Sequence, residues 1–197
     1  MATVTVRRVE HEEIGASAKS LASAFYDDPV VGFAWPNDGK RLRQAELLFA
    51  TQLRLLWSRR EVDSDPDFGS VAVWARPDEW EFPNKIVPRY LLTAARSQVR
   101  VAALLAYFRT DRLHPAEPHW YLEFLGTVPQ MQGRGLGGHV LDAGLARADE
   151  TGLPVWTWSS NARNLPFYRR HGFEVLDELS FVRGGPSIYP IRREPRR

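Results

Sequence analysis

A glycine-rich segment between an apolar run and an amphipathic helix constrains this chain more than any other part of its sequence. Gly133, Gly135, Gly137 and Gly138 lie within six positions. Because they lack side chains, they let an anion approach the backbone, and they allow the φ angles of a tight, concave turn. Apolar residues recur at helical spacing after Leu136, so the unpaired amides of a helix N-terminus face the loop. The segment therefore predicts a phosphate-binding loop.

The residues around this loop separate three kinds of phosphate site. A P-loop ends in Gly-Lys-Ser or Gly-Lys-Thr, whereas this loop ends Gly137-Gly138-His139, which excludes it. The glycines do match the G-x-G-x-x-G pattern of dinucleotide-binding folds. That fold also needs an acidic residue about 20 positions further on, and residues 155–159 contain none. Too little chain follows to complete a doubly wound sheet.

Two motifs resemble those of a known family, and this resemblance points to the third kind of phosphate site. Residues 132–137 resemble the Q/R-x-x-G-x-G/A pyrophosphate signature of the GNAT superfamily of acetyl-CoA-dependent N-acetyltransferases. Residues 161–173 resemble a later motif of that superfamily, with an asparagine seven residues before a tyrosine on a short helix that ends in Gly-Phe. Two motifs in the expected order and separation are more specific than either alone.

The resemblance extends over most of the chain. Segments 24–29, 71–74 and 114–122 are similar to the branch of the superfamily that includes puromycin N-acetyltransferase. It implies an α/β fold with a central, splayed, mixed β-sheet flanked by helices on both faces. We expect one domain over residues 1–197, with a short basic tail at 192–197, acetyl-CoA as co-substrate and no metal.

The resemblance also implies which residues bind acetyl-CoA. Asn161 and Asn164 are placed to hydrogen-bond the pantetheine arm, although Asn164 is equally suited to cap a helix with Pro166 in its first turn. The expected binding residues are Leu125, Thr127, Gln132, Gly133, Arg134, Gly135, Leu136, Gly137, Gly138, Asn161 and Asn164.

Two residues are candidates for proton transfer. The later motif directs Tyr168 toward the thioester sulfur, on the premise that its neighbour Phe167 enters the core. A phenol with a pKa of about 10 is protonated at neutral pH and can protonate a thiolate whose thiol has a pKa of about 8.5. Glu123 is the only acid in the apolar run 120–125, where burial would make it a plausible base.

The role of Glu123 stays open at this stage, because it is equally suited to pair with one of the arginines. Relatives of the puromycin enzyme often carry a glutamate on the next strand, where this chain has Trp158. That departure leaves a water relay as a further route for the proton.

Composition limits the function classes. The chain has 197 residues, 44% of them hydrophobic, which suits one domain with a sizeable core. A net charge of +2 is too balanced for a nucleic-acid binder driven by bulk charge. The absence of cysteine excludes an acyl-cysteine intermediate, so acetyl transfer would be direct. Neither a signal core nor a membrane-length apolar run is present, and we expect a cytoplasmic protein with no membrane partner.

Hydrophobic periodicity predicts the order of the elements. The expected elements are a strand over 3–9, a helix from Ile14 that stops at Asp27-Asp28-Pro29, a helix after residue 39, a hairpin connection within 61–69, a strand over 70–75, a helix over 86–108 and a central strand over 119–127.

These observations together predict an N-acetyltransferase that transfers the acetyl group of acetyl-CoA directly to an amine of a small molecule, with aromatic molecules among the candidate acceptors. Two alternatives remain: an enzyme that acetylates a protein, peptide or aminoacyl-tRNA amine, and a non-catalytic acyl-CoA-binding regulatory module. A homodimer is compatible with each of these hypotheses.

Overall fold

A computed structural model describes residues 4–196 of the chain. Its helices are α1 (Ile14–Ala24), α2 (Pro29–Ala34), α3 (Asp38–Leu56), α4 (Val87–Arg96), α5 (Val101–Thr110), α6 (Leu136–Thr151) and α7 (Leu165–Arg170). Its strands are β1 (Arg7–Arg8), β2 (Arg60–Ser64), β3 (Ser70–Ala75), β4 (Trp120–Thr127), β5 (Val155–Ser159), β6 (Glu174–Val175), β7 (Leu179–Ser180) and β8 (Ser187–Arg193). None of the helices within residues 4–196 is long and apolar enough to span a membrane.

The strands form one mixed sheet in the order β1-β2-β3-β4-β5-β8-β6, and β7 pairs with β8. All neighbouring strands are antiparallel except β4 and β5. These two parallel strands pair only at Trp120 with Val155 and at Tyr121 with Trp156. Beyond these positions the strands diverge, so the sheet is splayed, as predicted.

Side-chain alternation along the central strands supplies two apolar faces. In β3, Val71 and Val73 pack with α1 and α3 on one face, whereas Ala72 and Trp74 pack with α6 on the other. Helices therefore cover both faces, which confirms the predicted mixed α/β fold.

Several predicted boundaries change in the structure. The first strand is confined to Arg7–Arg8, and Thr3 lies outside the described residues. The prediction of one helix over 86–108 is wrong, because the chain leaves the helix between α4 and α5. Trp35 Nε1 donates to the Ser97 carbonyl at 2.9 Å, and the Arg100 amide donates to the Ala34 carbonyl at 3.0 Å. These bonds to the end of α2 replace helical ones.

The predicted basic tail at 192–197 is also shorter, because its first two residues belong to β8. Arg193 is buried and forms an ion pair with Asp149 on α6 at 2.7 Å. Arg192 pairs with Trp156 of β5. The last residue, Arg197, lies outside the described residues.

A close approach of α6 to β3 depends on Gly144. A Cβ atom added there would lie 2.2 Å from the Trp74 ring, whereas one added at Gly15 in α1 would meet nothing within 4 Å. We expect Gly144→Ala to lower the free energy of unfolding by about 1–3 kcal/mol through overpacking, although alanine is the better helix former. Gly15→Ala should leave it unchanged or raise it by up to about 1 kcal/mol. Urea denaturation of both variants measures the difference, and equal effects would contradict this account of the packing.

Candidate active site

Two cavities meet where β4 and β5 diverge. The first, called here the glycine groove, has a volume of about 750 Å³ and runs along the loop before α6. The second, called the aromatic cavity, has a volume of about 120 Å³ and lies between the sheet and helices α2 to α5. The residues that line both are Phe25, Asp28, Leu125, Asn164 and Tyr168.

The glycine groove collects nearly all of the residues that the sequence assigned to cofactor binding. Arg134 is exposed and is absent from the lining, so the structure does not bring it to the groove. Arg163 and Arg170 do line it. The predicted residues in the lining are Leu125, Thr127, Gln132, Gly133, Gly135, Leu136, Gly137, Gly138, Asn161 and Asn164.

The backbone of this loop has the geometry of an anion site. Gly133 and Gly135 have φ angles of 75° and 82°, in the left-handed region, and Gly135 is the N-cap of α6. A Cβ at Gly137 would lie 2.9 Å from Thr127 Oγ1, so a side chain there would close the space between the loop and β4. The first amides of α6 have no acceptor inside the helix. A phosphate fits this cradle.

The two asparagines of the later motif differ in their contacts. Asn161 Oδ1 accepts from the Arg163 amide at 3.0 Å and so caps the turn before α7. Asn164 is the N-cap residue of α7, but its side chain makes no capping hydrogen bond. The side-chain amide of Asn164 is therefore available at the junction of the two cavities.

Tyr168 lies at that junction, and its burial differs from the premise of the sequence analysis. Tyr168 is buried, at 9% exposure, whereas Phe167 is only half-buried and lines the glycine groove. The Tyr168 hydroxyl makes no hydrogen bond with any residue from 4 to 196. Burial raises its pKa, and the charge of Asp28 adds to the effect. The phenol therefore keeps its proton at neutral pH.

Nine aromatic side chains contribute to the lining of the aromatic cavity. Phe49 and Phe124 pack edge to face with ring centroids 5.1 Å apart, and Trp158 stacks on Phe181 at 6.1 Å. Trp158, which stands where relatives often have a glutamate, is thus part of the apolar wall. A ring-shaped, apolar group suits this space.

Glu123 enters the aromatic cavity because of an irregularity in β4. Val73 pairs with Phe124 and Trp74 pairs with Leu122, so Glu123 is the extra residue of a bulge. A bulge re-aims a side chain, and Glu123 and Phe124 consequently both contact α3, through Gln52 and Phe49.

The Glu123 carboxylate is surrounded by donors. Its Oε2 accepts from Arg60 Nε at 2.6 Å, and its Oε1 accepts from Gln52 Nε2 at 2.7 Å and from the Tyr107 hydroxyl at 3.4 Å. The Arg60 and Glu123 side chains are each 1% exposed. Arg60 Nη2 is a fourth donor, at 3.3 Å from Oε1. Of the two hypotheses for Glu123, these contacts favour the structural partner of an arginine, because the buried guanidinium neutralises the carboxylate.

Sequence reasoning missed Asp28, which lines both cavities. Its Oδ1 accepts from the amides of Val30 and Val31 at 2.9 and 3.1 Å, which makes it the N-cap of α2. An aspartate followed by a proline is a known signature of a helix start. The signal was therefore present, although the sequence analysis used Asp28 only as the end of α1.

The buried ion pair gives a stability prediction. Arg60→Met leaves the Glu123 charge buried without a cation, so we expect it to lower the free energy of unfolding by roughly 3–5 kcal/mol. The double variant Arg60→Met/Glu123→Gln removes that charge while keeping an amide for Gln52, and it should recover much of the loss. Urea denaturation provides the measurement.

An exposed pair provides the control. Arg76 and Glu79 lie 2.8 Å apart with side chains 48% and 35% exposed, and Arg76→Met should cost less than about 1 kcal/mol. A loss for Arg60→Met no larger than for Arg76→Met would contradict the assigned role of the pair.

Comparisons with known proteins agree with this architecture. Over 98% of its length the chain is 23% identical to an uncharacterised N-acetyltransferase of Schizosaccharomyces pombe, of which it covers 84%. A solved structure described as histone acetyltransferase HPA2 and related acetyltransferase, from Corynebacterium glutamicum, matches with a TM-score of 0.71 and 24% identity, covering 99% of this chain and 98% of that one. A mosquito arylalkylamine N-acetyltransferase like 5b matches with a TM-score of 0.58 and 13% identity, over 98% and 100% of the two chains.

At these identities the solved structures establish the fold alone. The narrower resemblance to the puromycin N-acetyltransferase branch stays a prediction. The sequence model of the Acetyltransferase (GNAT) family matches residues 53–173, a range that runs from the end of α3 through the glycine loop to the end of the later motif. The chain therefore belongs to the GNAT family of acetyltransferases.

Proposed function

We propose that this acetyltransferase transfers the acetyl group of acetyl-CoA directly to the primary amine of a small molecule with an aromatic body. The observation that carries the proposal is the meeting of the glycine groove and the aromatic cavity at Tyr168. The whole chain, residues 1–197, acts as one domain in this proposal, in the cytoplasm where acetyl-CoA is available. No metal is required.

The glycine groove holds acetyl-CoA in this proposal. The amides of residues 136–138 at the start of α6 bind the pyrophosphate, because they face the cradle without acceptors inside the helix. Arg163 and Arg170 line the groove and supply positive charge for the remaining phosphate. The side chain of Asn164, free of a capping bond, binds the pantetheine arm next to the junction. When bound, acetyl-CoA supplies the acetyl group as a thioester.

Tyr168 then acts on the leaving group. Its hydroxyl is unpaired within residues 4–196, so a donor is available beside the place where the cavities meet. Burial raises its pKa, which keeps the phenol protonated but weakens it as an acid, so the proton leaves only as negative charge develops on the sulfur. A donor at this position can protonate the departing thiolate.

The size and lining of the aromatic cavity support a small aromatic acceptor. An apolar cavity of about 150 Å³ in another protein holds a benzene molecule, and the cavity here measures about 120 Å³. Its aromatic walls suit a ring, and the acceptor amine then extends from the ring toward Tyr168. An arylalkylamine has this shape. The similar mosquito structure is described as an arylalkylamine N-acetyltransferase.

A second candidate is transfer to a protein amine, because another similar structure is described as a histone acetyltransferase. The small cavity argues against a polypeptide acceptor. A near-neutral net charge of +2 argues against aminoacyl-tRNA. Homodimer formation stays a prediction.

Binding of acetyl-CoA is tested at Gly135. Gly135→Asp forces a side chain into a left-handed backbone position and adds a negative charge to the phosphate cradle, so binding should be abolished. Gly152→Asp is the matched control, since Gly152 also has a positive φ angle, ends the same helix and has no neighbour within 4 Å of an added Cβ. Isothermal calorimetry measures both. Parental affinity in Gly135→Asp would show that the loop is not the phosphate site.

The transfer reaction is tested with a panel of small amines, peptides and aminoacyl-tRNA, read as free thiol released from acetyl-CoA. We expect the parent to be most active with arylalkylamines such as phenethylamine. Tyr168→Phe keeps the ring and removes the hydroxyl, so its single-turnover rate should fall by roughly 10²-fold or more, with the affinity for acetyl-CoA little changed. A general-acid loss lowers kcat and kcat/KM together.

Tyr189→Phe is the control for this substitution. Tyr189 also carries a phenolic hydroxyl, which donates to Glu178 at 3.1 Å, but it lies outside both cavities, so Tyr189→Phe should keep the parental rate. Preference of the parent for peptides or aminoacyl-tRNA would overturn the small-amine proposal. Equal rates for Tyr168→Phe and the parent would overturn the role of Tyr168.

A further inference from the structure

The carboxylate of Asp28 occupies a position that no other acid within residues 4–196 shares. It lines both the glycine groove and the aromatic cavity, together with Tyr168. Glu123 lines only the aromatic cavity, and Asp27 lines only the groove. An amine that reaches from the aromatic cavity toward a thioester in the groove passes Asp28.

The hydrogen bonds of Asp28 fix the carboxylate. Oδ1 is held by the amides of Val30 and Val31. Oδ2 accepts from the Ser160 hydroxyl, which follows β5 on the other side of the junction. The carboxylate is therefore fixed from both α2 and the end of β5, and a fixed group costs little reorganisation during a reaction.

What distinguishes Asp28 from Glu123 is the absence of a cation partner. Glu123 is paired with Arg60 inside the structure. Asp28 has no ion pair with any residue from 4 to 196. Within these residues its carboxylate accepts three hydrogen bonds, two from backbone amides and one from a hydroxyl. A desolvated carboxylate without a counter-ion attracts a cation, and a protonated amine is a cation of suitable size.

From this geometry we propose that Asp28, held by Ser160, is the residue that receives the acceptor amine: it binds the ammonium group and takes its proton. This proposal rests on the proposed function. It moves the base from the strand positions that the family resemblance suggests to the turn between α1 and α2.

The acidity of Asp28 supports this role. Burial raises the pKa of its carboxyl group, and the hydrogen bonds from Ser160, Val31 and Val30 oppose that rise. A raised pKa makes the carboxylate a stronger base, closer to the pH at which the enzyme works.

Other charged and titratable groups also lie near Asp28 or line the two cavities. From α3, Arg41 donates to the Tyr26 carbonyl at 3.3 Å, two residues before Asp28. Those that line the two cavities are Asp27, Tyr90, Tyr107, Glu123, Arg163, Tyr168 and Arg170.

The proton balance of the step closes without a further reactant. The ammonium gives one proton to Asp28, and the freed nitrogen lone pair forms a bond to the thioester carbonyl carbon. The carbon–sulfur bond breaks, and the thiolate takes the Tyr168 proton. The new amide nitrogen loses its extra proton to the Tyr168 phenolate, and Asp28 releases its proton to solvent. The products are the acetylated amine, CoA with a free thiol and one proton.

Asp28→Asn separates this role from helix capping. Asparagine keeps an oxygen for the Val30 and Val31 amides and is as good an N-cap as aspartate, but it carries no charge and accepts no proton. With phenethylamine as acceptor, we expect the single-turnover rate to fall by roughly 10²-fold or more and KM for the amine to rise. Thermal stability and acetyl-CoA affinity should stay close to those of the parent. The loss should shrink at alkaline pH, where the amine deprotonates unaided.

An acceptor amine of lower basicity separates the catalytic role of Asp28 from a structural one. The amine of β,β-difluorophenethylamine is largely neutral at neutral pH, so it needs neither an ammonium site nor a base. We therefore expect Asp28→Asn to lower the single-turnover rate with this amine much less than the rate with phenethylamine. If Asp28 had only a structural role, Asp28→Asn would lower the single-turnover rates with both amines by the same factor. Ser160→Ala should also lower the rate with phenethylamine more than the rate with the fluorinated amine. Its losses should be smaller, since it removes one hydrogen bond to the carboxylate but keeps the carboxylate.

The control is Asp177→Asn. Asp177 is exposed, also accepts from a backbone amide, that of Glu178 at 2.7 Å, and lies outside both cavities; this variant should match the parent. Parental rates for Asp28→Asn, or equal losses with the two amines, would overturn the proposal. Should the parent acetylate only peptides, the small-amine function fails. The comparison of Asp28→Asn with Asp177→Asn on the accepted peptide amine then still decides the role of Asp28.

Discussion

The divergence of β4 from β5 is the constraint on which the rest of the site depends. The two strands share only two residue pairs, so the later halves of both leave backbone groups and side chains facing a gap. The glycine loop follows directly from the end of β4, and the later motif follows from the end of β5. The glycine groove and the aromatic cavity therefore meet at the opening, because the chain leaves the sheet there twice.

The two carboxylates near this opening are stabilised in different ways. Glu123 sits in a bulge and is neutralised by Arg60, whose guanidinium also donates to the carbonyls of Glu79 and Trp80 at 2.8 and 3.0 Å. Of this network, Glu123 and its donors Gln52 and Tyr107 line the aromatic cavity. Asp28 instead accepts from two amides and one hydroxyl, and it has no cation partner within residues 4–196. The cost of burying the carboxylate is thus offset by a cation at Glu123 and by neutral donors at Asp28.

Much of the fold could be predicted because it depends on local patterns. The glycine-rich loop, the helix that follows it and the positions of β3 and β4 along the chain follow from spacing and periodicity, whereas the splayed, mixed sheet was implied by the family resemblance. Where the prediction was wrong, contacts distant in sequence had decided the local structure. The break between α4 and α5 arises from hydrogen bonds to the end of α2, and Arg192 and Arg193 join a strand because β5 and Asp149 offer partners.

The sequence by itself determined that a glycine-rich loop precedes a helix and that a tyrosine follows on a short helix, since backbone freedom and capping chemistry are local properties. The family assignment rests on the match over residues 53–173, which include both. Only the tertiary structure decided that Glu123 is paired with Arg60, that Tyr168 rather than Phe167 is buried, that Arg134 lies outside the groove, and that Asp28 reaches both cavities. These facts depend on which surfaces pack together and on which charges become desolvated, and neither can be obtained from spacing along the chain.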